Sequence, residues 1–515
     1  MDAQVGTIGD HRIRAKSVAT SFAKCLIILF AVTLFTRIGE FNNPLGHVDD
    51  QFYLFTGNAM LHGQLPYVDV WDRKPIGLFL IYAAIAALGG DGAIVYHLVG
   101  ACAVLATGLV ILALAKRFTT PAGGLRAGIA YIVLMPTIGG GGGQSPVFYN
   151  LLIALAALLT FDGFVQGARR WPRALGAMAL VGLAIQVKPT TVFEGAFFGL
   201  LFLIAEWRAT RRPSAVGTLA IAMIVTAITP TGLAFGAYAL IGHAQEMWFA
   251  TVVSIFKRNP LSWAERLGDV PQMLLFLTVP ALATFSALVT LYRQTLWSNR
   301  SIFLVGWIAA ALVGFVSVPN FFNHYALPLI LPMTLAMAAL LADRRDGLMF
   351  TTMIVLLPIL FEAPSPAAIL HNREGFDRTA AFVESNLHGG CLYIYYGPTQ
   401  FYTATNSCHL SPYVFPDHLE TEVEATALPV SPESEIERIF ASAPTVVMTG
   451  HRRKLARNNR TAAILEHHLW CDYRLARKVP AGLGRTLDIW TRKPSPAPIC
   501  PATHPPLGII QLTND

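Results

Sequence analysis

Between Gly46 and Pro75 the chain reads GHVDDQFY and then, after a short interval, PYVDVWDRKP. Four carboxylates, Asp49, Asp50, Asp69 and Asp72, stand here beside Arg73 and Lys74, in a chain of which only 13% of residues are charged. Carboxylates can take up a proton or hold a cation, and an adjacent Arg and Lys can meet an anion. The competing reading is structural: an acid just before a helix caps its free N–H groups and suits the helix dipole. One cap needs one acid, so the adjacent pair exceeds what capping requires, and Asp49 is the stronger functional candidate of the two.

Further candidates lie elsewhere in the chain. Lys188, followed by Pro189, sits at the turn of an apolar hairpin, where it either snorkels to water or meets an anion. Lys257 and Arg258 follow Trp248 and Phe249 and read as phosphate contacts or as plain interfacial anchors. His324 and Tyr325 stand among aromatics at the start of an apolar run, either packed at the interface or bonded to a ligand. The run Gly139 to Gly143 lacks a following Gly-Lys-Ser/Thr, so it is no phosphate loop.

What positions these residues is a membrane protein. The 515 residues are 54% hydrophobic, and mean hydropathy is +0.50. One soluble core of this length needs far less apolar surface. The net charge of +7 comes from short basic clusters between apolar runs, a pattern of topology and not of nucleic-acid binding.

Apolar runs recur near residues 17–38, 76–88, 93–115, 125–138, 147–166, 174–187, 190–207, 215–241, 271–292, 301–318, 326–342 and 347–361. The basic residues before the first run mark it as a retained signal anchor, since no small-residue cleavage site follows. If the run 76–88 crossed, the Lys116/Arg117, Arg169/Arg170 and Arg208/Arg211 loops would all lie outside, against the positive-inside rule. The sequence therefore predicts eleven spanning helices, a cytoplasmic N-terminus and an outer C-terminus. Residues 39–92 form one outer loop carrying two surface-lying helices, near Gln51 to His62 and Ile76 to Leu88.

After the transmembrane module, residues 1–361, composition turns polar. Residues 362–515 read as a small α/β extracytoplasmic domain, with strands at Cys391 to Tyr396 and Thr445 to Met448, a helix from Pro432 to Ala441 and a hairpin through Tyr473 to Trp490. Four of the six cysteines lie here, and an oxidising compartment favours pairing them. Three pairings are possible; Cys391 with Cys408 and Cys471 with Cys500 is the expected one, with free buried thiols as the alternative.

The order Asp49, Asp50, Tyr53, then Met60, Leu61, Gly63, then Lys74 and Pro75 opening an apolar helix resembles the first outer loop of GT-C glycosyltransferases. Its nearest relatives in pattern are the family 39 protein O-mannosyltransferases and the aminoarabinose and galacturonic acid transferases of lipopolysaccharide. His324, Tyr325, Leu327, Pro328 and Pro332 resemble a second element of that group. Two departures stand out. Ile76 replaces the last proline of a Lys-Pro-Pro element, and Gln144, Ser145 and Asn150 stand in the second outer loop where relatives commonly place another acid. The second departure leaves use of a divalent metal open, and the sequence does not require one.

The resemblance implies transfer of a sugar, with inversion, from a polyprenyl phosphate to a hydroxyl of a glycan, lipid or protein, at the outer face of a bacterial inner membrane. The acceptor hydroxyl then needs a carboxylate base, for which Asp49 or Asp50 is available. The departing phosphate needs fixed cations, Lys74 and Arg73 first and then Lys188, Lys257 and Arg258. Tyr53, Asp69, Asp72, His324 and Tyr325 complete the expected substrate-binding set. The main alternative is a secondary transporter of a small anionic or sugar-like solute. Transporters carry internal repeats and mid-membrane charges, whereas here no repeat is visible and the acids lie in a loop.

Overall fold

The computed structural model describes residues 22–494, apart from residues 47, 168, 295–297, 319, 362–365, 451–454 and 481–485. Apolar runs become helices because a bilayer offers the backbone no hydrogen-bond partner, so each N–H must find a carbonyl in its own segment. Among the described residues seven helices are long and apolar enough to cross a membrane: Gly92–Ala115, Pro121–Gly140, Ser145–Phe164, Pro189–Thr210, Pro213–Leu240, Trp263–Leu291 and Asn299–Val316.

The shortfall from eleven is one of helix length. The run 174–187 folds as the 16-residue helix Arg170–Ile185, and the run 347–361 as the 16-residue Asp346–Phe361. The run 326–342 divides into Leu327–Ala336 and Ala338–Leu341. The first helix covers residues 22–37, and the residues before it lie outside the described ones.

Local chemistry sets the helix ends. Asp91 accepts the N–H groups of Ala93 and Ile94 at 2.9 and 3.4 Å and caps Gly92–Ala115. Thr120, followed by Pro121 at the first helical position, caps the next helix. These two helices approach closely because both carry glycine at the contact: a Cβ on Gly128 would lie 3.0 Å from the Gly108 carbonyl oxygen.

Two shorter helices precede this bundle. Val48–Leu61 carries the acidic pair in its first turn, and Ile76–Ala87 packs against it. At 12 residues the second is about 18 Å long, well short of a hydrocarbon core of roughly 30 Å.

The C-terminal part is built on a four-stranded sheet in the order β1-β2-β4-β3. Strand β1 (Leu392–Ile394) pairs in parallel with β2 (Val446–Gly450); β4 (Thr486–Arg492) runs antiparallel to both β2 and β3 (Tyr473–Pro480). Helices Pro432–Ala441 and Asn459–Asp472 contribute buried Ile436, Ile439, Leu465 and Leu469 to the same core as Val446, Val447 and Ile489. Cys391 and Cys408 form a disulfide. Cys471 is also disulfide-bonded, while Cys500 and the rest of the Pro-rich tail lie outside the described residues.

A parallel β1–β2 pair requires a crossover, and here it is long. That connection, residues 395–445, turns back onto the first loop of the membrane part: Phe52 packs on Phe415 with ring centroids 5.0 Å apart, and the Trp71 N–H bonds the Pro412 carbonyl at 2.9 Å.

Candidate active site

The acidic pair, in the first turn of its helix, is bonded by a distant segment of the chain. Gln144 donates its side-chain amide to Asp49 Oδ2 at 2.8 Å, and the Gly143 N–H donates to Asp50 Oδ2 at 2.7 Å. Asp50 is fully buried and Asp49 half-buried. The glycine run therefore has a structural use. Its carbonyls at Gly140, Gly141 and Gly142 accept the buried Arg37 guanidinium, and Gly143 lies against the hydroxyl of Tyr82, which donates to its carbonyl at 2.8 Å. Any side chain at Gly143 would run into the Tyr82 hydroxyl, so this close approach requires glycine.

From residue 64 to 75 the loop is tied to itself. Asp69 Oδ2 accepts the Leu65 N–H at 2.7 Å, so this acid shapes its own turn. Tyr67, at φ 71°, donates its hydroxyl to the Lys74 carbonyl at 2.9 Å. Buried Asp72 accepts the Lys74 N–H at 2.7 Å through Oδ1 and faces His418 Nε2 at 3.6 Å through Oδ2. Burial alone would raise the Asp72 pKa; Lys74, His418 and Arg73 outweigh it and hold the carboxyl well below its usual range.

Cations from three separate segments converge beside this loop. The Lys74 ammonium sits 5.5 Å from the centre of the Tyr53 ring and the Lys188 ammonium 4.4 Å from that of Tyr325. Arg73 and Arg258 both reach Glu424, Arg73 through two nitrogens, one at 3.0 Å, and Arg258 at 2.8 Å. Among the described residues no carboxylate pairs with the ammonium of Lys74 or Lys188.

The consequence is visible at Tyr325. Burial would raise its pKa, yet Lys188, Lys74 and Arg258 hold the phenol below its ordinary value. A phenol drawn below its ordinary value by three cations marks a place where the potential is positive. Burial lowers Lys188, with Lys74 and Arg258 acting in the same direction. It also brings His324 down to about 4, aided by Lys188 and Lys74, so that imidazole is neutral at pH 7. Asp49 acts electrostatically on Lys74, Lys188, His324 and Tyr325 alike. The carboxylate and the cations thus face one site.

Of the residues expected from sequence, Asp49, Asp72, Arg73, Lys74, Lys188, Arg258, His324 and Tyr325 come together, with Asp50 buried behind Asp49 and Tyr53 under Lys74. Asp69 serves its turn. Lys257 is exposed over the Phe249 ring at 5.1 Å, and Arg258 makes the inward contact. Sequence reasoning missed Glu424 and His418. Among the described residues no three His, Cys, Asp or Glu gather as a metal site, and the partner aimed at Asp49 is an amide N–H.

The apolar helical bundle followed by a C-terminal mixed sheet has counterparts among known proteins and solved structures. Residues 73–229 match the family model described as dolichyl-phosphate-mannose-protein mannosyltransferase. The chain superposes on ArnT from Cupriavidus metallidurans bound to undecaprenyl phosphate with a TM-score of 0.61 at 12% identity, covering 90% of this chain and 97% of that one. At that identity the likeness establishes the fold. Two further solved structures are similar over most of this chain. The Archaeoglobus fulgidus oligosaccharyltransferase has TM-score 0.46 and 10% identity, with 83% and 69% of the two chains covered. Arabinosyltransferase EmbB from Mycobacterium smegmatis has TM-score 0.45 and 15% identity, with 81% and 40% covered. No curated protein sequence matches the chain.

Proposed function

We propose that this protein is an inverting glycosyltransferase that moves a sugar from a polyprenyl-phosphate-linked donor to a hydroxyl of an envelope glycan, lipid or protein. The observation that carries the reading is the joint placement of half-buried Asp49 and the cations Lys74, Lys188 and Arg258 around Tyr325. In the reaction the acceptor oxygen bonds the anomeric carbon as its proton passes to Asp49, while the bond from that carbon to the phosphate oxygen breaks. The polyprenyl phosphate leaves with the electron pair, and the cations stabilise the added charge. Asp50, buried and bonded to the Gly143 N–H, holds the helix that presents Asp49.

This reading includes an outer-face site with eleven spanning segments in a bacterial inner membrane. The basic loops supply the orientation, and the first helix at residues 22–37, Arg170–Ile185, the broken run Leu327–Ala336 with Ala338–Leu341, and Asp346–Phe361 cross as members of a packed bundle. The test is purified protein with a short-chain polyprenyl phosphate sugar: release of polyprenyl phosphate coupled to glycosylation of an envelope acceptor supports it. Transport of a solute across proteoliposomes without any transfer would replace it by the transporter reading.

A further inference from the structure

One carboxylate of the C-terminal part holds two guanidiniums from two different loops of the membrane part. Glu424 is 2% exposed, accepts both terminal nitrogens of Arg73, and receives Arg258 on Oε1. Its position is fixed from both sides. The Asn259 N–H bonds the Val423 carbonyl at 3.0 Å, and the Asn259 side chain bonds the Glu422 carbonyl at 2.9 Å. Thr426 donates to Asn259 Oδ1 at 3.0 Å, and the Glu422 N–H bonds the Ala456 carbonyl at 2.9 Å. The segment 422–426 is therefore pinned to the loop that carries Arg258 and to its own sheet-bearing part at once.

We propose that Glu424 is a positioning residue for the donor-phosphate site: by holding Arg73 and Arg258 together it sets the spacing of the cations around Tyr325, so the C-terminal part completes that site. The inference rests on the glycosyltransferase reading and adds a residue that acts through others. Four cations gathered around Tyr325 repel each other. Long Arg side chains without a shared anchor would spread toward solvent, where a phosphate contact must bear the entropy of gathering them.

Two roles for Glu424 predict opposite signs. A carboxylate that merely neutralises charge opposes phosphate binding, so Glu424→Gln would tighten it. A positioning carboxylate supports binding, so the same change would weaken it. The experiment measures affinity of the purified full-length protein for a short-chain polyprenyl phosphate and for the corresponding polyprenol, with thermal melting of every variant.

The wild type is expected to prefer the phosphate. Glu424→Gln should lose about tenfold in phosphate affinity, the size of one charge-assisted contact, with polyprenol binding unchanged. In an Arg73→Ala/Arg258→Ala background Glu424→Gln should have no further effect, because the groups it positions are gone. Glu424→Asp should fall between wild type and Glu424→Gln. If Glu424→Gln does not fold, Asn259→Ala tests the same anchor from the other side and should weaken phosphate binding in the same direction.

Unchanged or tighter phosphate binding in Glu424→Gln overturns the proposal while leaving the transferase reading intact. An equal loss in the Arg73→Ala/Arg258→Ala background overturns it too, since Glu424 would then act independently of both. A wild type that does not distinguish phosphate from alcohol overturns the transferase reading itself.

Discussion

Gln144 directs its amide at Asp49, Nε2 to Oδ2 at 2.8 Å, across 95 residues of sequence. A neutral donor on one oxygen orients the carboxylate without adding a countercharge. This separates the two acids of the pair, because buried Asp50 spends its bond on the Gly143 backbone.

Asp49→Asn should therefore reduce transfer by at least about a hundredfold, the lower end of what a general base contributes, with a melting temperature close to wild type. Asp50→Asn should lower the melting temperature, since it removes a charge-assisted bond in a buried place. Turnover and thermal melts on the two proteins distinguish the roles; equal loss of stability in both would make the pair a structural unit.

Of the four cations gathered around Tyr325, Lys74 and Lys188 have no carboxylate ion pair among the described residues, whereas Arg73 and Arg258 share Glu424, so an anionic donor should feel the loss of either lysine most. Lys74→Ala should weaken donor binding roughly tenfold to a hundredfold, the cost of one charged contact to phosphate. Isothermal titration with a polyprenyl phosphate reads this directly. An unchanged affinity would reduce Lys74 to an anchor for the Ile76–Ala87 helix.

Asp72 sets a pH dependence. Its folded pKa is depressed below the ordinary 3.8, so its contribution to stability is full above that value and is lost as pH falls through the lower folded value. The melting-temperature gap between wild type and Asp72→Asn should be constant from pH 7 to 5 and narrow only below about pH 4. A gap that closes already at pH 6 would assign the effect to another group.

Topology can be read by labelling intact cells of a strain lacking Cys25 and Cys102. An impermeant thiol reagent should reach Leu88→Cys, 69% exposed beside the short helix, and miss Lys116→Cys in the next loop. The reverse pattern would invert the orientation of the whole bundle and the side on which the site works.

Thiol counting offers a separate check. Cys391–Cys408 is bridged, Cys471 is bonded, and Cys25 and Cys102 are free. Denatured, unreduced protein should titrate two thiols; six would contradict an oxidising surrounding for the C-terminal part.

The first loop was legible because charge is scarce in this chain, so Asp49, Asp72 and Lys74 stood out against an apolar background. Glu424 had no such contrast. It lies among Glu420, Glu422, Glu433, Glu435 and Glu437 in a polar region, and its partners are 351 and 166 residues away. His418 is hidden in the same way, packed against Trp71 with ring centroids 4.7 Å apart. Alternation could not separate Lys257 from Arg258, because helix Ser254–Lys257 ends between them and only the turn decides which side chain goes inward. Apolar runs give the existence of helices, while their lengths depend on features that hydropathy does not register, such as the break at Met337.

The bond between the Trp71 N–H and the Pro412 carbonyl also bears on the order of biogenesis. Everything that carries the acidic pair, Lys74, Lys188, Arg258 and Tyr325 leaves the ribosome before residue 412. A nascent chain thus holds these side chains before it holds the contact that fixes the loop at Trp71, which forms only when the last fifth of the protein has been made and folded back. Truncation after the final apolar helix would leave that loop without its bond to Pro412 and Arg73 and Arg258 without Glu424.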